Sequence, residues 1–203
     1  MQHPTKVFDE WATLGKDKGM EISHAASVSE ILDYALSRLK TESNYFTFLD
    51  FGCGNGWVAD QISKKDNCSL SIGVDGAENM ILNAKNRKSE AVFYLDDLNS
   101  FESDKKFDLI FSMEVLYYLE NPLIVIERIK NMLNPKGRFI MGIDHYFEND
   151  ECHDWQEKVG TRMHMFKEEE WLDFFTKSGY KNIFSWRANS NDWAGTLSIT
   201  GTK

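Results

Sequence analysis

Short apolar segments alternate with amphipathic segments along the middle of the chain. The apolar segments have the length of strands, while the segments between them place apolar residues every three or four positions, as a helix does. Strands that alternate with helices favour a parallel α/β sheet with right-handed crossovers. The pattern predicts strands over 45–51, 70–75, 91–95, 107–112 and 138–143, and helices over 57–65, 77–88 and 122–133.

The beginning of the chain is more polar and irregular. Phe8, Trp11 and Leu14 have the spacing of a short helix, and the glycines around 16–18 predict a loop. Ser27 and Glu30 match a capping box, so we expect a second helix over 27–40.

The end of the chain predicts a helix and two further strands. The helix spans 167–178 and ends at Gly179, and the strands span 183–187 and 196–202. We expect one domain over 1–203. It consists of an N-terminal helical lid over 1–40, a core over 45–143 and a substrate-side segment over 144–203.

A glycine-spaced loop follows the first predicted strand. The strand ends at Asp50-Phe51, and glycines then occupy 52, 54 and 56. Because glycine lacks Cβ, such a loop can turn tightly and approach a ligand closely. A dinucleotide fingerprint would require a third glycine at 57, where the chain has Trp57. The loop therefore indicates a nucleotide-type cofactor, with a ligand-free turn between strand and helix as the structural alternative.

Acidic residues stand at the ends of successive predicted strands. Asp50 ends the first and Asp75 the second, Asp96 and Asp97 follow the third, and 112–114 (Ser-Met-Glu) follow the fourth. Ligands of open parallel sheets bind beyond these carboxyl ends. Carboxylates there suit hydroxyl, amino and cationic groups better than a pyrophosphate. A single acid such as Asp75 can instead cap the following helix.

Five segments in this order resemble the class I S-adenosylmethionine-dependent methyltransferases, in particular the small-molecule enzymes of ubiquinone and menaquinone biosynthesis. The segments are 50–56, 73–81, 95–98, 107–119 and 133–139, and Lys136 replaces a glycine of the family's usual turn. The resemblance implies a Rossmann-like, seven-stranded, mostly parallel sheet with helices on both faces and one antiparallel strand.

The same resemblance implies S-adenosylmethionine as the cofactor and S-adenosylhomocysteine as the product. Between the two acids that follow the third strand, we favour Asp96 over Asp97 as the adenine ligand. The residues expected to bind the cofactor are Asp50, Gly52, Cys53, Gly54, Asp75, Gly76, Met80, Asp96, Asp97 and Met113.

The segment 144–155 follows the fifth strand and is dense in polar side chains. A histidine beside a carboxylate can remove a proton near neutral pH. We therefore expect His145, Tyr146, Glu148 and His153 to bind substrate or take a proton, although a solvated loop would show the same composition. His145, Cys152, His153 and His164 fit no standard zinc spacing, so we predict no metal.

Further side chains are expected on the substrate side and in the lid. They are Trp11, Met20, His24, Tyr117 and Trp155. Packing of a helix across the sheet would also explain Trp11 and Met20.

Composition and charge limit the classes of partner and the compartment that we expect. The net charge of −9 and the absence of a dense basic stretch make nucleic acid an improbable partner. An odd number of widely spaced cysteines favours a reducing compartment, so we expect a cytoplasmic protein. No segment has the length of an apolar membrane span. The aromatic content of 13% suits an apolar or planar substrate.

The sequence thus predicts a methyltransferase, monomeric or homodimeric, that moves a methyl group to a small-molecule acceptor by in-line displacement. The alternatives are a nicotinamide-dependent oxidoreductase, a methyltransferase acting on RNA or protein, and a non-catalytic cofactor-binding module.

Overall fold

The computed structural model describes residues 1–41, 43–191 and 193–203. Its helices are α1 (Pro4–Thr13), α2 (Asp17–Ser37), α3 (Trp57–Ser63), α4 (Glu78–Asn86), α5 (Pro122–Met132), α6 (Trp155–Val159) and α7 (Glu168–Lys177). Its strands are β1 (Phe46–Phe51), β2 (Cys68–Asp75), β3 (Val92–Leu95), β4 (Phe107–Met113), β5 (Leu133–Ile143), β6 (Lys181–Ala188) and β7 (Thr196–Thr202). Short 3₁₀ turns lie at Leu116–Tyr118 and Asp150–Cys152.

Within the described residues the strands form a seven-stranded sheet in the order β3-β2-β1-β4-β5-β7-β6. The pairs among β1 to β5 are parallel, and β7 runs antiparallel to both β5 and β6. The predicted fold class, including its antiparallel strand, is confirmed. The strand order reverses between β1 and β4, so the carboxyl ends of these two strands border the crevice where such folds bind ligands.

Apolar cores cover both faces of the sheet. Phe48 and Leu49 are adjacent in β1 but belong to opposite cores, because successive side chains of a strand point to opposite faces. Leu49 packs in the core beneath α5 and α7, while Phe48 packs in the core that contains Ile31 of α2. This two-sided burial explains why the central strands are apolar throughout.

The helix predicted over 27–40 is wrong at its start. α2 begins at Asp17, so the expected loop over 16–18 is largely helical and Ser27 lies inside the helix. Ser27 does not cap the helix; its hydroxyl is buried against the Thr196 hydroxyl at 2.8 Å. The first turn is held by tertiary contacts, since the Asn55 amide donates to the Asp17 carboxylate at 3.0 Å. These contacts outweigh the unfavourable helix propensity of Gly19.

The turn expected before β5 is incorporated into that strand, which begins at Leu133. A register shift between Phe107 and Leu109 accommodates the extra residues. Lys136 adopts φ +66°, a left-handed conformation that favours glycine. The lysine therefore adopts a backbone conformation that a glycine would adopt more easily.

Candidate functional site

The glycine loop is anchored to the second strand. The backbone N–H groups of Gly52 and Cys53 both donate to the Val74 carbonyl, at 2.8 and 2.9 Å. Gly56 ends the loop at φ +77° and immediately precedes α3. A Cβ on Gly56 would lie 2.6 Å from both Ala84 and Phe93. The loop is therefore bonded to β2 and packed against α4 and β3, with no room for a side chain at Gly56.

Asp75 ties the loop to the turn that follows β2. One carboxylate oxygen accepts from the Gly54 N–H and the other from the Ala77 N–H, both at 2.9 Å. Burial raises the pKa of Asp75, and the bonds from backbone N–H groups oppose that shift. Asp75 therefore braces the turn before α4 and does not cap the helix itself, and it also borders the main cavity.

The main cavity has a volume of about 440 Å³ and opens beside the glycine loop. Gly52, Gly54, Asp75, Gly76 and Met80 form one wall, and 97–99 form another. The remaining wall residues are Met1–Thr5, Phe8, Met20, 113–115, 118–120 and Arg162. Apolar side chains dominate this lining, with acids concentrated near the glycine loop. The cavity suits a ligand with a planar or apolar body and hydroxyl or cationic groups.

A side cavity of about 70 Å³ lies between the loop and α2 and is lined by a buried acid, one of whose oxygens has no partner in the described chain. Asp50 is 1% exposed, and its Oδ2 has no hydrogen-bond partner among the described residues. Burial and the charge of Asp75 raise the pKa of Asp50 to about 8. A cationic group here would give Oδ2 a partner and favour the charged carboxylate. The site therefore fits an ammonium group.

Most of the residues predicted to bind a cofactor lie at these cavities. Gly52, Gly54, Asp75, Gly76, Met80, Asp97 and Met113 line the main cavity, and Asp50 and Cys53 line the side cavity. The preference for Asp96 over Asp97 is not supported by their placement. In the described part of the chain Asp96 borders neither cavity, and its carboxylate accepts from the Asp97 N–H at 2.8 Å.

The predicted proton-removing residues lie elsewhere. Among the described residues, none of His145, Tyr146, Glu148 and His153 borders either cavity. Each instead contacts side chains or backbone groups outside the cavities. This placement corrects the expectation that segment 144–155 lines the substrate side. Trp155 was expected there too, and in the described chain it also borders neither cavity.

His145 is buried beneath the site. It is 1% exposed and lies 5.0 Å from the Tyr117 ring and 6.1 Å from the Trp155 ring, measured between centroids. Burial lowers the pKa of His145 to about 4, so the ring is neutral at neutral pH. Its surroundings are those of a packed aromatic residue.

The other three side chains hold loops in place. The Tyr146 hydroxyl donates to the carbonyls of Ala194 and Gly195, at 3.1 and 2.9 Å. The Glu148 carboxylate accepts from the Glu168 N–H at the start of α7. The His153 ring donates to the Phe147 carbonyl at 2.8 Å.

The N-terminal segment forms part of the cavity wall. Asp9 of α1 accepts from the backbone and side-chain N–H groups of Asn79, at 2.6 and 2.8 Å. Gln2 donates from its backbone to the Gly160 carbonyl at 2.9 Å. These bonds hold 1–13 across the crevice between α4 and the segment after α6.

Some of the predicted lid residues border the cavities, and the others pack behind them. Met20 borders both cavities and His24 borders the side cavity. Trp11 packs edge-on against Phe8, with ring centroids 5.5 Å apart, and does not border the main cavity in the described chain. Tyr117 is buried behind the wall and bonded to Glu114. Mobility of the lid stays a prediction.

The sequence places Glu114 at the end of the fourth strand, where 112–114 are expected to line the methionine end of the cofactor, and the structure gives it a central position. It borders both cavities and has a left-handed backbone, with φ +59°. Ligand atoms of Glu114, His24 and Asp144 lie within 4.8 Å of one another. Sequence reasoning missed this cluster, because its members come from α2, β4 and β5.

No helix within 1–41, 43–191 or 193–203 has the length and apolar character of a membrane span.

Comparisons with known proteins agree with this geometry. A family model described as a methyltransferase domain matches residues 42–184. Malonyl-[acyl-carrier protein] O-methyltransferase 2 of Ilyobacter polytropus is 28% identical over 149 residues, which cover 70% of this chain and 52% of that protein. The chain thus spans about half the length of this curated relative.

Two solved structures are similar in fold. A chain from the complex of the Haloferax volcanii Trm112 methyltransferase activator with a candidate methyltransferase has a TM-score of 0.83 and 26% identity, covering 100% of this chain and 98% of that one. The N-methyltransferase NodS of Bradyrhizobium japonicum, solved with S-adenosylhomocysteine, has a TM-score of 0.65 and 21% identity, covering 86% and 84%. The second likeness concerns the fold alone.

Proposed function

The chain belongs to the methyltransferase domain family, and on that premise we propose that it transfers a methyl group from S-adenosylmethionine to a small-molecule acceptor. One observation carries this proposal. The glycine loop and three acids, Asp50, Asp75 and Asp97, surround connected cavities at the point where the strand order reverses. S-adenosylmethionine carries no phosphate, so its site needs no phosphate-binding residues, whereas the site of a dinucleotide does.

The residues present fit the parts of this cofactor. The unpartnered, buried Oδ2 of Asp50 suits the ammonium group, and Asp75 can accept from ribose hydroxyls. Asp97 borders the cavity where an adenine amino group would need an acceptor. Gly54 leaves space beside Met80, whose sulfur would lie 4.0 Å from an added Cβ. The bound cofactor supplies an activated methyl group, and the protein aligns the acceptor and excludes water.

The size and lining of the main cavity favour a small acceptor. Its 440 Å³ must hold part of the cofactor as well as the acceptor, and Met1–Thr5 form part of its wall. A net charge of −9 disfavours RNA, which binds through neutralised phosphates. Related proteins carry the names of O- and N-methyltransferases, so we propose an acceptor with a hydroxyl or an amine. The free cysteines Cys53, Cys68 and Cys152 support a reducing, cytoplasmic location.

Asp75 provides the test of this function. Replacing Asp75 by alanine removes the acceptor of two backbone N–H groups and of the ribose, so we expect the affinity for S-adenosylhomocysteine to fall at least about 100-fold. Calorimetric titration of the purified protein measures this loss. Asp96→Ala is the matched control, and its affinity should stay within about threefold, since Asp96 lies outside the cavity wall.

Two outcomes would contradict the proposed function. One is full affinity for S-adenosylhomocysteine in Asp75→Ala. The other is binding of NAD by the native protein in place of S-adenosylhomocysteine, which would revive the oxidoreductase.

We also propose a protein partner at the exposed edge of β3. β3 is an edge strand of the sheet, and three of its apolar side chains are exposed. The exposed fractions are 42% for Val92, 45% for Tyr94 and 50% for Leu95. An exposed apolar edge offers unpaired backbone groups to a strand of another chain. The similar Haloferax chain was solved in complex with the Trm112 activator, which supports an activator as the kind of partner. The exposure of the apolar side chains on β3 is the reason for placing it at this edge.

Gel filtration with the Haloferax volcanii Trm112 activator tests this partner. We expect a one-to-one complex with the native chain that Tyr94→Lys abolishes, because a lysine places charge within the apolar contact. Phe184→Lys is the control, since Phe184 is 48% exposed on β6 at the opposite edge. A complex that survives Tyr94→Lys, or no complex with the native chain, would refute the assignment.

A further inference from the structure

Glu114 lies beside both cavities at the carboxyl end of β4. It directly follows β4, which borders β1 at the point where the strand order reverses. The next residue, Val115, lies so close to the glycine loop that a Cβ on Gly52 would collide with it. Glu114 borders the main cavity and also the side cavity that contains Asp50. Its left-handed backbone, at φ +59°, is of the kind often found at functional sites.

Both carboxylate oxygens of Glu114 are held in place. The Tyr117 hydroxyl donates to Oε2 at 2.6 Å, and the backbone N–H of Asp144 donates to Oε1. The Tyr117 oxygen also lies 3.4 Å from the hydroxyl of Tyr118, which borders the main cavity. The carboxyl group is therefore oriented and connected to the cavity through two phenols.

His24 and Asp144 form a charged pair beside Glu114. The His24 Nδ1 lies 2.8 Å from the Met20 carbonyl, which can only accept, so Nδ1 carries a hydrogen. The Nε2 lies 3.5 Å from Asp144, whose other oxygen accepts from the Thr196 hydroxyl at 2.7 Å. A second proton on Nε2 completes this pairing.

We infer that Glu114 accepts the proton that the acceptor loses during methyl transfer, and that His24, Asp144 and Tyr117 position it. This inference rests on the proposed function. The acceptor oxygen or nitrogen forms a bond to the methyl carbon, and the sulfur–carbon bond breaks with its electron pair remaining on sulfur. The proton on the acceptor atom passes to the Glu114 carboxylate. Charge is conserved, because the sulfonium cation becomes a neutral thioether as the carboxylate becomes neutral.

The ionisation of Glu114 is set by its neighbours. Burial and the charge of Asp144 raise the pKa of Glu114 to about 8, and His24 opposes this rise. The groups that face it are His24 from α2, Asp144 after β5, the phenols of Tyr117 and Tyr118, and Cys152. Burial lowers the pKa of His24, but the hydrogen bond to Asp144 and the charges of Glu114 and Asp144 together outweigh it and the pKa is raised to about 9, so His24 is cationic at neutral pH.

The cofactor's charge would prepare Glu114 for this role. At pH 7 the carboxyl is mostly protonated in the free protein, which is the wrong form for a base. A sulfonium cation nearby lowers the pKa of a carboxyl group. S-adenosylmethionine carries that cation and S-adenosylhomocysteine does not. The base therefore forms when the methyl donor is bound.

The same cluster has the spacing of a metal site, with ligand atoms within 4.8 Å of one another. However, the Glu114 and Asp144 oxygens already accept hydrogen bonds or face His24. The contacts therefore favour protons as the occupants of this cluster.

Proton release on cofactor binding tests the inference without a known acceptor. The purified protein is titrated calorimetrically at pH 7 with S-adenosylmethionine and with S-adenosylhomocysteine, each in phosphate and in Tris, whose ionisation enthalpies differ. We expect S-adenosylmethionine to release about 0.5 to 1 proton more than S-adenosylhomocysteine. Glu114→Gln should remove this difference while its affinity for S-adenosylhomocysteine stays within about threefold.

Asp50→Asn provides a matched control. Asp50 also has a raised pKa and can release a proton, but it is expected to respond to the ammonium group that both cofactors share. Asp50→Asn should therefore lower the release with both cofactors and keep the difference between them. With any acceptor that the native protein methylates, Glu114→Gln should lower kcat by about 10²–10⁴-fold, as loss of a positioned base does.

Equal proton release with both cofactors in the native protein would overturn the inference, as would a difference that persists in Glu114→Gln. A difference that EDTA abolishes would assign the cluster to a metal instead. If neither cofactor binds, the proposed function fails and the inference fails with it.

Discussion

Gly56→Ala is expected to destabilise the fold by about 2–5 kcal/mol. Gly56 has φ +77°, where a residue with a Cβ costs about 1–2 kcal/mol. The new methyl group would also lie 2.6 Å from both the Ala84 Cβ and a ring carbon of Phe93. Such overpacking of a core costs about 1–3 kcal/mol. Because these contacts are with β3 and α4, relief would displace the loop, and we expect S-adenosylhomocysteine binding to weaken as well.

Gly15→Ala separates backbone strain from crowding. Gly15 has a similar φ of +72°, but an added Cβ would meet nothing within 4 Å. It should therefore cost only about 1–2 kcal/mol and leave cofactor affinity unchanged. Urea unfolding of the native protein and both variants measures the comparison. Equal losses for the two variants would show that packing around the glycine loop is looser than the contacts of Gly56 indicate.

The second large effect is a loss of stability as the pH rises from about 6.5 to 9 in the absence of cofactor. Folding raises the pKa of Asp50 and of Glu114 to about 8 and that of His24 to about 9. Each group then binds its proton more tightly in the folded state. The stabilisation is complete below the pKa of the unfolded chain and is lost as the pH rises through the folded value. We expect the free energy of unfolding to fall by about 3 kcal/mol per pH unit between 6.5 and 8.

His145 changes stability with pH in the opposite direction, and it does so at lower pH. Burial lowers its pKa to about 4, so its contribution to stability is present above the ordinary histidine value and is lost as the pH falls toward 4. Its slope falls to half at about pH 6.5 and is almost gone by about pH 7.5. The loss of stability at alkaline pH therefore comes from Asp50, Glu114 and His24.

Denaturant unfolding at several pH values measures this slope, and Asp50→Asn identifies one of its sources. An amide does not ionise, so the variant should show a smaller slope and be more stable than the native protein at pH 8. Its affinity for S-adenosylhomocysteine should nevertheless fall, since the ammonium group loses its carboxylate. A native protein of constant stability from pH 6.5 to 9 would contradict the prediction, as would an unchanged slope in Asp50→Asn.

The sequence predicted the central sheet because its signals are local. The two-sided burial of β1 appears as an apolar run, and the glycines after Phe51 mark a tight turn regardless of what surrounds it. Acids at strand ends were informative for the same reason, since parallel strands bring their carboxyl ends to one edge. Asp50, Asp75 and Asp97 at the cavities follow from this geometry.

The orientation of single side chains was harder to predict. β3 ends at Leu95, paired with Asp75, and the backbone beyond it turns Asp97 rather than Asp96 toward the cavity. His145 directly follows Asp144, a member of the cluster at the crevice, yet its ring is buried among aromatic side chains and borders neither cavity in the described chain. Adjacent residues thus differ in environment because chain direction after a strand depends on tertiary packing.

The sequence by itself therefore determined the order of strands and helices, the glycine loop and the acidic character of the site, because periodicity and glycine content act over a few neighbouring residues. Only the tertiary structure decided which polar groups meet at the crevice. Glu114, His24 and Asp144 come from distant segments, and they meet because α2 packs across the sheet and Glu114 adopts a left-handed backbone. Such contacts depend on long-range packing, which no local pattern encodes.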